Sequence, residues 1–403
     1  MNNNLVKMVI LPILVFGLTA GIAYGTTMYL YGGNGTTQSE GPVVTPPPGG
    51  GLVIDPKTPR DVACPINGEM FTKTESAVWN TRRPIFAMLE NSPEARPQSG
   101  LNSADVVYEA VSEGGVTRFG AVFYCGVSAK DTTIAPVRSA RTTFVNLASE
   151  YNLPLYVHAG GANCSSADGG KTCTSDKRVM ALEQLDSYGW RGSNDLDEFG
   201  VGIKAFKRDL ARIWDIKGSE VAWEHGLTAS TEKLFKYGKD TRGWTNMDPA
   251  GKNDWKDKFT PWTFKDNSKT PGSVSKIAYG FWESDARFNV TWDYDATKNQ
   301  YLRGNGGEPG KDLNDGSQVT AKVVVVQYTK EYLHLDEHAH TLYDVIGTGK
   351  GLVFQDGTAT EITWSKKDRE SRTVFTDAKG KKIEFNRGRI FFAIIPIGNT
   401  VAY

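Results

Sequence analysis

The hydrophobic pattern divides the chain into four stretches. From Met8 to Tyr31 the sequence MVILPILVFGLTAGIAYGTTMYLY carries no charged residue. As a helix it would span about 36 Å, enough to cross a bilayer core with some tilt. Residues 32–60 have no apolar period and are rich in Gly, Thr and Pro. They predict a flexible linker, locally extended at Pro46–Pro48.

Residues 61–250 alternate strand-like and helix-like runs. Ile85–Glu90, Asp105–Val111, Thr117–Cys125 and Leu155–Ala159 read as strands. Ser112-Glu113-Gly114-Gly115 reads as the turn of a hairpin that needs glycine's positive φ. Phe144, Leu147, Ala148 and Tyr151 recur at helical spacing and predict a helix over Ser139–Tyr151. Val179–Tyr188 and Thr231–Tyr237 are further helices. Lys239–Ser275 is a polar connection without a clear period.

Residues 251–403 read differently. Ala278–Trp282, Phe288–Tyr294, Val319–Tyr328, Gly351–Phe354, Glu361–Trp364, Thr373–Thr376, Lys382–Phe385 and Ile390–Pro396 are short strands. Asp356-Gly357 and Asp377–Gly380 supply hairpin turns. The pattern therefore predicts an α+β protein. An N-terminal mixed α/β domain (61–250) precedes a smaller, mostly β domain (251–403), behind one transmembrane helix (8–31) and the linker.

Charge places the ends of that helix. Lys7 and the amino terminus precede the apolar run, and no basic residue follows until Lys57. The asymmetry predicts a cytoplasmic N-terminus at residues 1–7 and extracytoplasmic folded parts, with the cell membrane as a partner. Gly21-Ile22-Ala23 could instead be a signal-peptide cleavage site, and export follows on either reading. No cysteine near this segment could carry a lipid. Lys+Arg and Asp+Glu both number 46, so the formal net charge is zero and nucleic acid is not an expected partner. Any anion site must be local.

The four cysteines form no C-x-x-C pair. Cys164 and Cys173 flank a Ser/Gly/Asp-rich loop that a disulfide would pin, leaving Cys64 with Cys125. Four free thiols are the alternative. His334, His338 and His340 with Asp336 are chemically able to bind a metal, but their spacing matches no metal motif. Neither a metal nor a cofactor is expected.

Asn91, Arg96, Gln98, Glu109, Glu113, Arg118, Arg138, Arg141 and His158 fall at predicted strand ends or on the loops between them. Arginine's planar fork suits carboxylate or phosphate, and Arg138 and Arg141 would share one helix face. The same residues could equally be a structural Arg–Glu network. His158 and His225 could form an acid/base pair or be half-buried and bonded to carbonyls. Glu109, Glu113, His158 and His225 are thus the catalytic candidates. Asn91, Arg96, Gln98, Arg118, Arg138, Arg141 and His158 are the ligand-binding candidates.

The runs RRPIFAMLEN (Arg82–Asn91), ARPQSGLNSADVVYEA (Ala95–Ala110), EGGVTRF (Glu113–Phe119), PVRSAR (Pro136–Arg141) and YVHAGG (Tyr156–Gly161) resemble the YerB-like family of bacterial envelope lipoproteins. HGLTASTEKLF, from His225, is similar to a further motif, with Gly226 where asparagine is more usual. The resemblance implies a two-domain envelope protein and assigns no reaction. Its anchor differs, since a helix stands where the family has a lipid-modified cysteine. Three roles follow as expectations. A cleft lined by the arginines holds an anionic envelope ligand, such as a cell-wall polymer. The same cleft acts as an enzyme on that polymer, a phosphotransferase or hydrolase. Or the protein is a scaffold for another envelope protein.

Overall fold

Ile85–Glu90 (β1) is apolar at five consecutive positions and buried at all six. Such a strand needs cover on both faces, so it belongs inside a sheet. The computed structural model places it there. It describes residues 51–163, 175–248 and 250–403. The Met8–Tyr31 run and the Cys164–Cys173 pair lie outside the described residues. Among the described residues no helix is long and apolar enough to cross a membrane.

Val106–Glu113 (β2) and Val116–Phe123 (β3) form the expected hairpin. Its turn sets φ to +53° at Gly114 and +84° at Gly115. A Cβ on Gly115 would also stand 2.9 Å from the Trp282 ring. Leu155–His158 (β4) and Asp195–Asp197 (β5) extend the sheet in parallel from β1.

The same sheet continues into the second half of the chain. Its further strands are Val323–Thr329 (β9), Gly347–Gln355 (β10), Thr358–Lys366 (β11), Val374–Thr376 (β12) and Ile390–Pro396 (β13). The order across ten strands is β12-β11-β10-β9-β13-β2-β3-β1-β4-β5. Parallel pairing of β13 with β2, from Ile390 opposite Val106 to Ala393 opposite Glu109, joins the two halves. The hairpin at Asp356-Gly357 has φ of +55° and +65°, the backbone that a two-residue turn requires.

A second, six-stranded sheet contains Lys276–Tyr279 (β6), Val290–Asp295 (β7), Gln300–Asn305 (β8) and the terminal Val401–Ala402 (β14). Strand β8 was not expected. Its sequence QYLRGN has only two apolar residues, and pairing with β7 from Val290–Asn305 to Asp295–Gln300 makes it a strand.

Helices are few and short. Lys73–Trp79 (α1) starts on a capping box in which the Thr72 amide donates to Glu75 Oε2 at 2.8 Å. Thr142–Ala148 (α2), followed by a 3-10 turn over Ser149–Tyr151, begins three residues later than expected. The amides of Val137, Arg138 and Ala140 are taken by the carbonyls of Leu227, Met88 and Gly160, so this segment is extended. Ala181–Ser187 (α3) is slightly shorter than expected. Thr231–Arg242 (α4) is longer, ending at Gly243 with φ of +70°. Its last turn is polar, and apolar spacing could not reveal it. Cys64 and Cys125 form a disulfide, both buried, across 61 residues.

Candidate functional site

Strands β1, β2, β4 and β5 run in the same direction, so their carboxyl ends lie along one edge. Glu90 ends β1 and Glu113 ends β2. Arg118, near the start of the antiparallel β3, pairs with Glu90. Ligands of open α/β sheets bind along such an edge. The extended Pro136–Arg141 segment crosses it. The 3-10 turn Trp223–His225 brings His225 to Glu90, and His340 from the C-terminal half bridges to Glu113.

The side chains form a continuous chain of charges. The His225 Nδ1 lies 2.7 Å from Glu90 Oε2. Arg138 Nε stands 3.4 Å from the same oxygen, and Arg138 Nη1 donates to the Glu224 carbonyl at 3.3 Å. Arg118 is ion-paired to Glu113 Oε1 and donates to the Ser139 carbonyl at 3.0 Å. Arg141 Nε donates to Glu113 Oε2 at 3.0 Å. His340 bonds Asp336 and lies beside Glu113 through a backbone bridge.

Burial sets the protonation states. Burial opposes ionisation of Glu113, but Arg118 and Arg141 overcome it and hold the carboxyl down at about 2. Burial and the neighbouring Arg141 bring the Arg118 guanidinium down to about 9. Glu90 is held below the ordinary range against the cost of burial, by its bond to His225 and by Arg138. Burial and Arg141 push His340 down. Three guanidiniums therefore face two carboxylates, Glu90 and Glu113. The surplus is one positive charge, apart from the His340–Asp336 pair.

Buried Arg118 Nε, Ser112 Oγ, Thr142 Oγ1 and Thr341 Oγ1 have no hydrogen-bond partner, and Arg138 Nε has only its 3.4 Å ion-pair contact with Glu90. Ser112, Thr142 and Thr341 are the chain neighbours of Glu113, Arg141 and His340. Buried donors left without partners are costly, and Arg118 Nε is one such donor beside the Glu113 carboxylate. Solvent reaches the group through Arg138 and Glu113, each with 24% of its side chain exposed.

Other expected residues lie elsewhere. Asn91, Arg96, Gln98 and Glu109 belong to a separate buried network. Glu109 Oε2 accepts from Arg303 at 2.7 Å and its Oε1 from Asn91 at 2.9 Å and Thr117 at 2.9 Å. Gln98 donates to Asn91 Oδ1, and Arg96 donates to the carbonyls of Asn91 and Arg287. Arg303 also lies over the rings of Phe119, Trp292 and Phe391. Glu109, Asn91 and Arg96 tie the first sheet to Arg303, Asn305 and Arg287 of the second half, while Gln98 donates to the carbonyl of Glu90, a member of the arginine group, at 2.9 Å.

His158 has no solvent exposure. Its Nδ1 is 2.7 Å from the Gly160 carbonyl and its Nε2 is 2.6 Å from Asp195 Oδ1. A carbonyl and an ionised carboxylate only accept, so opposite the Asp195 carboxylate both ring nitrogens donate and the ring is held as the imidazolium. Burial opposes that cation, and the bond to Asp195 still raises its pKa. It is a structural cation, not a partner for His225. Arg138 and Arg141 share no helix face, because Arg141 is the extended residue before α2. They reach different carboxylates instead. Glu90 escaped the sequence reading. The signal was a carboxylate closing an otherwise apolar strand.

This edge, with carboxylates and arginines interlocked across a mixed sheet, defines a two-part α+β protein with a charged site at the strand ends. Residues 71–195 match the DUF3048 N-terminal domain and residues 277–392 the DUF3048 C-terminal domain, both described as of unknown function. The chain belongs to this YerB-like family. It is similar to the YerB protein of Bacillus subtilis (strain 168), with 27% identity over 344 residues, 85% of this chain and 88% of that protein. It is also similar to the crystal structure of YerB protein from Bacillus subtilis, at a TM-score of 0.64 and 25% identity, covering 85% of this chain and all of that one.

Proposed function

We propose that Arg118, Arg138, Arg141 and His225 bind the anionic group of a cell-envelope ligand, the phosphate or carboxylate of a wall polymer. The protein is held at the membrane by Met8–Tyr31, with its folded parts outside. The observation that carries this reading is the surplus guanidinium charge at a partly exposed Arg138, combined with a buried Arg118 Nε that has no hydrogen-bond partner. An anion would offset the surplus charge and accept charge-assisted hydrogen bonds from the guanidiniums. The Cys64–Cys125 disulfide fits an oxidising compartment, and the Bacillus subtilis relative is described as a candidate lipoprotein.

Titration calorimetry of the full chain with purified anionic wall polymer tests the proposal. Arg138→Gln, which changes a partly exposed side chain, should weaken binding about tenfold or more. Equal binding by wild type and variant overturns it.

The enzyme reading rests on one pair. Glu90 holds His225 Nδ1, which leaves Nε2 as the nitrogen able to accept a proton. Glu109 is sequestered by Arg303 and Glu113 is held ionised, so neither is suited to be a general acid. Phosphate release from the polymer that is lost in His225→Gln supports hydrolysis. Binding without turnover in the wild type removes this second reading.

A further inference from the structure

Among the described residues, large apolar side chains with high exposure concentrate in one segment. Phe199, Ile203, Trp214, Ile216 and Trp223 all lie between residues 199 and 223. Two of them border the arginine group through the contacts of neighbouring residues. Trp223 is 63% exposed, although the Arg208 guanidinium lies over one face of its ring at 4.5 Å. Arg208 also donates to the Trp223 carbonyl at 2.8 Å, so the ring and its backing are held together. The next carbonyl, that of Glu224, is the one Arg138 reaches, and His225 follows.

Phe199 reaches the same segment through Gly160. It is 79% exposed and lies against Gly160, where an added Cβ would come within 3.1 Å of its ring. The Gly160 carbonyl accepts from the Ala140 amide, within the Arg138–Arg141 segment. Glu198 and Arg208, 3.7 Å apart, bridge the two aromatic residues.

We infer that Trp223 and Phe199 are stacking platforms for sugar rings, and that the ligand of the Arg138 site is an anionic saccharide. The inference rests on the proposed anion site. Sugars present apolar C–H faces together with hydroxyl groups. The surface offers aromatic faces interleaved with Arg208, Glu198, Arg138 and His225, which match both features. A lipid surface would call for a continuous apolar area. Here the rings are separated by an ion pair.

The test uses the full chain and three probes: inorganic phosphate, N-acetylglucosamine 1-phosphate and phosphatidylglycerol vesicles. The sugar phosphate should bind about tenfold more tightly than phosphate, and Trp223→Ala should remove that advantage while leaving phosphate affinity unchanged. Trp223→Phe should keep most of it. Equal affinity of sugar phosphate and phosphate, or no effect of Trp223→Ala, overturns the stacking inference and leaves the anion site standing. Failure of both soluble probes to bind overturns the anion site and the inference with it. Trp223-dependent binding to vesicles in place of the sugar phosphate assigns the platform to lipid and also overturns the inference.

Discussion

Arg303 Nη2 donates to Glu109 Oε2 at 2.7 Å, with 1% and 0% of the two side chains exposed, and this pair locks the second sheet onto the first. Removing one member of such a pair leaves the other charge buried and uncompensated. Glu109→Gln or Arg303→Met should each cost about 3–5 kcal/mol of stability by urea unfolding. Replacing both together should cost less than the sum. A Glu109→Gln protein of unchanged stability would show that the pair contributes no net interaction.

His158 gives a pH dependence with a definite sign. Its folded pKa is raised, by Asp195 acting against burial. Its stabilisation is fully present below the unfolded value of about 6.5 and is lost as pH rises through the folded value. The stability difference between wild type and His158→Asn should therefore be greatest at acid pH and shrink on the alkaline side. Denaturant unfolding across that range checks it, and a difference that grows with pH contradicts the imidazolium assignment.

Glu113 behaves in the opposite sense. Arg118 and Arg141 outweigh burial and lower its folded value from 4.5 to about 2. Its contribution is present above the ordinary glutamate range and is lost as pH falls through about 2. Near neutral pH, Glu113→Gln should be less stable than wild type by about 3 kcal/mol. The gap should narrow as pH falls from about 4 to 2, as followed by thermal unfolding.

The Cys64–Cys125 disulfide closes a loop of 61 residues between buried sulfurs. Changing both residues to alanine should cost about 4 kcal/mol, mainly by freeing the unfolded chain. Wild-type protein folded in mild reductant should also resist labelling at these two positions until it unfolds. Rapid labelling of the native state would show that the bridge is accessible.

Much of the fold was legible. Strands β1, β2, β3, β4 and β13 and the turns at Gly114-Gly115 and Asp356-Gly357 follow from apolar runs and from glycine placed where φ is positive. The arginines of the site were legible as residue types beside strand ends. Their partners were not. Arg138 and Arg141 looked like neighbours on a helix, but the carbonyls of Met88 and Gly160 claim the amides of Arg138 and Ala140 and hold the segment extended. Asn91, Arg96 and Gln98 looked like cleft residues because nothing local announces Arg303, which is 194 positions from Glu109.

The sequence alone determined which segments are strands, where the chain turns, and that a charged, arginine-rich set accompanies them. These are local properties, set by burial period and backbone freedom within a few residues. Tertiary structure decided which charges meet. It carried one sheet through both halves of the chain, divided the polar residues into a solvent-reached group around Glu113 and a sealed one around Glu109, and withdrew His158 from solvent. The physical reason is that ion pairing and burial depend on distances across the fold, while hydrophobic pattern reports only on distances along the chain.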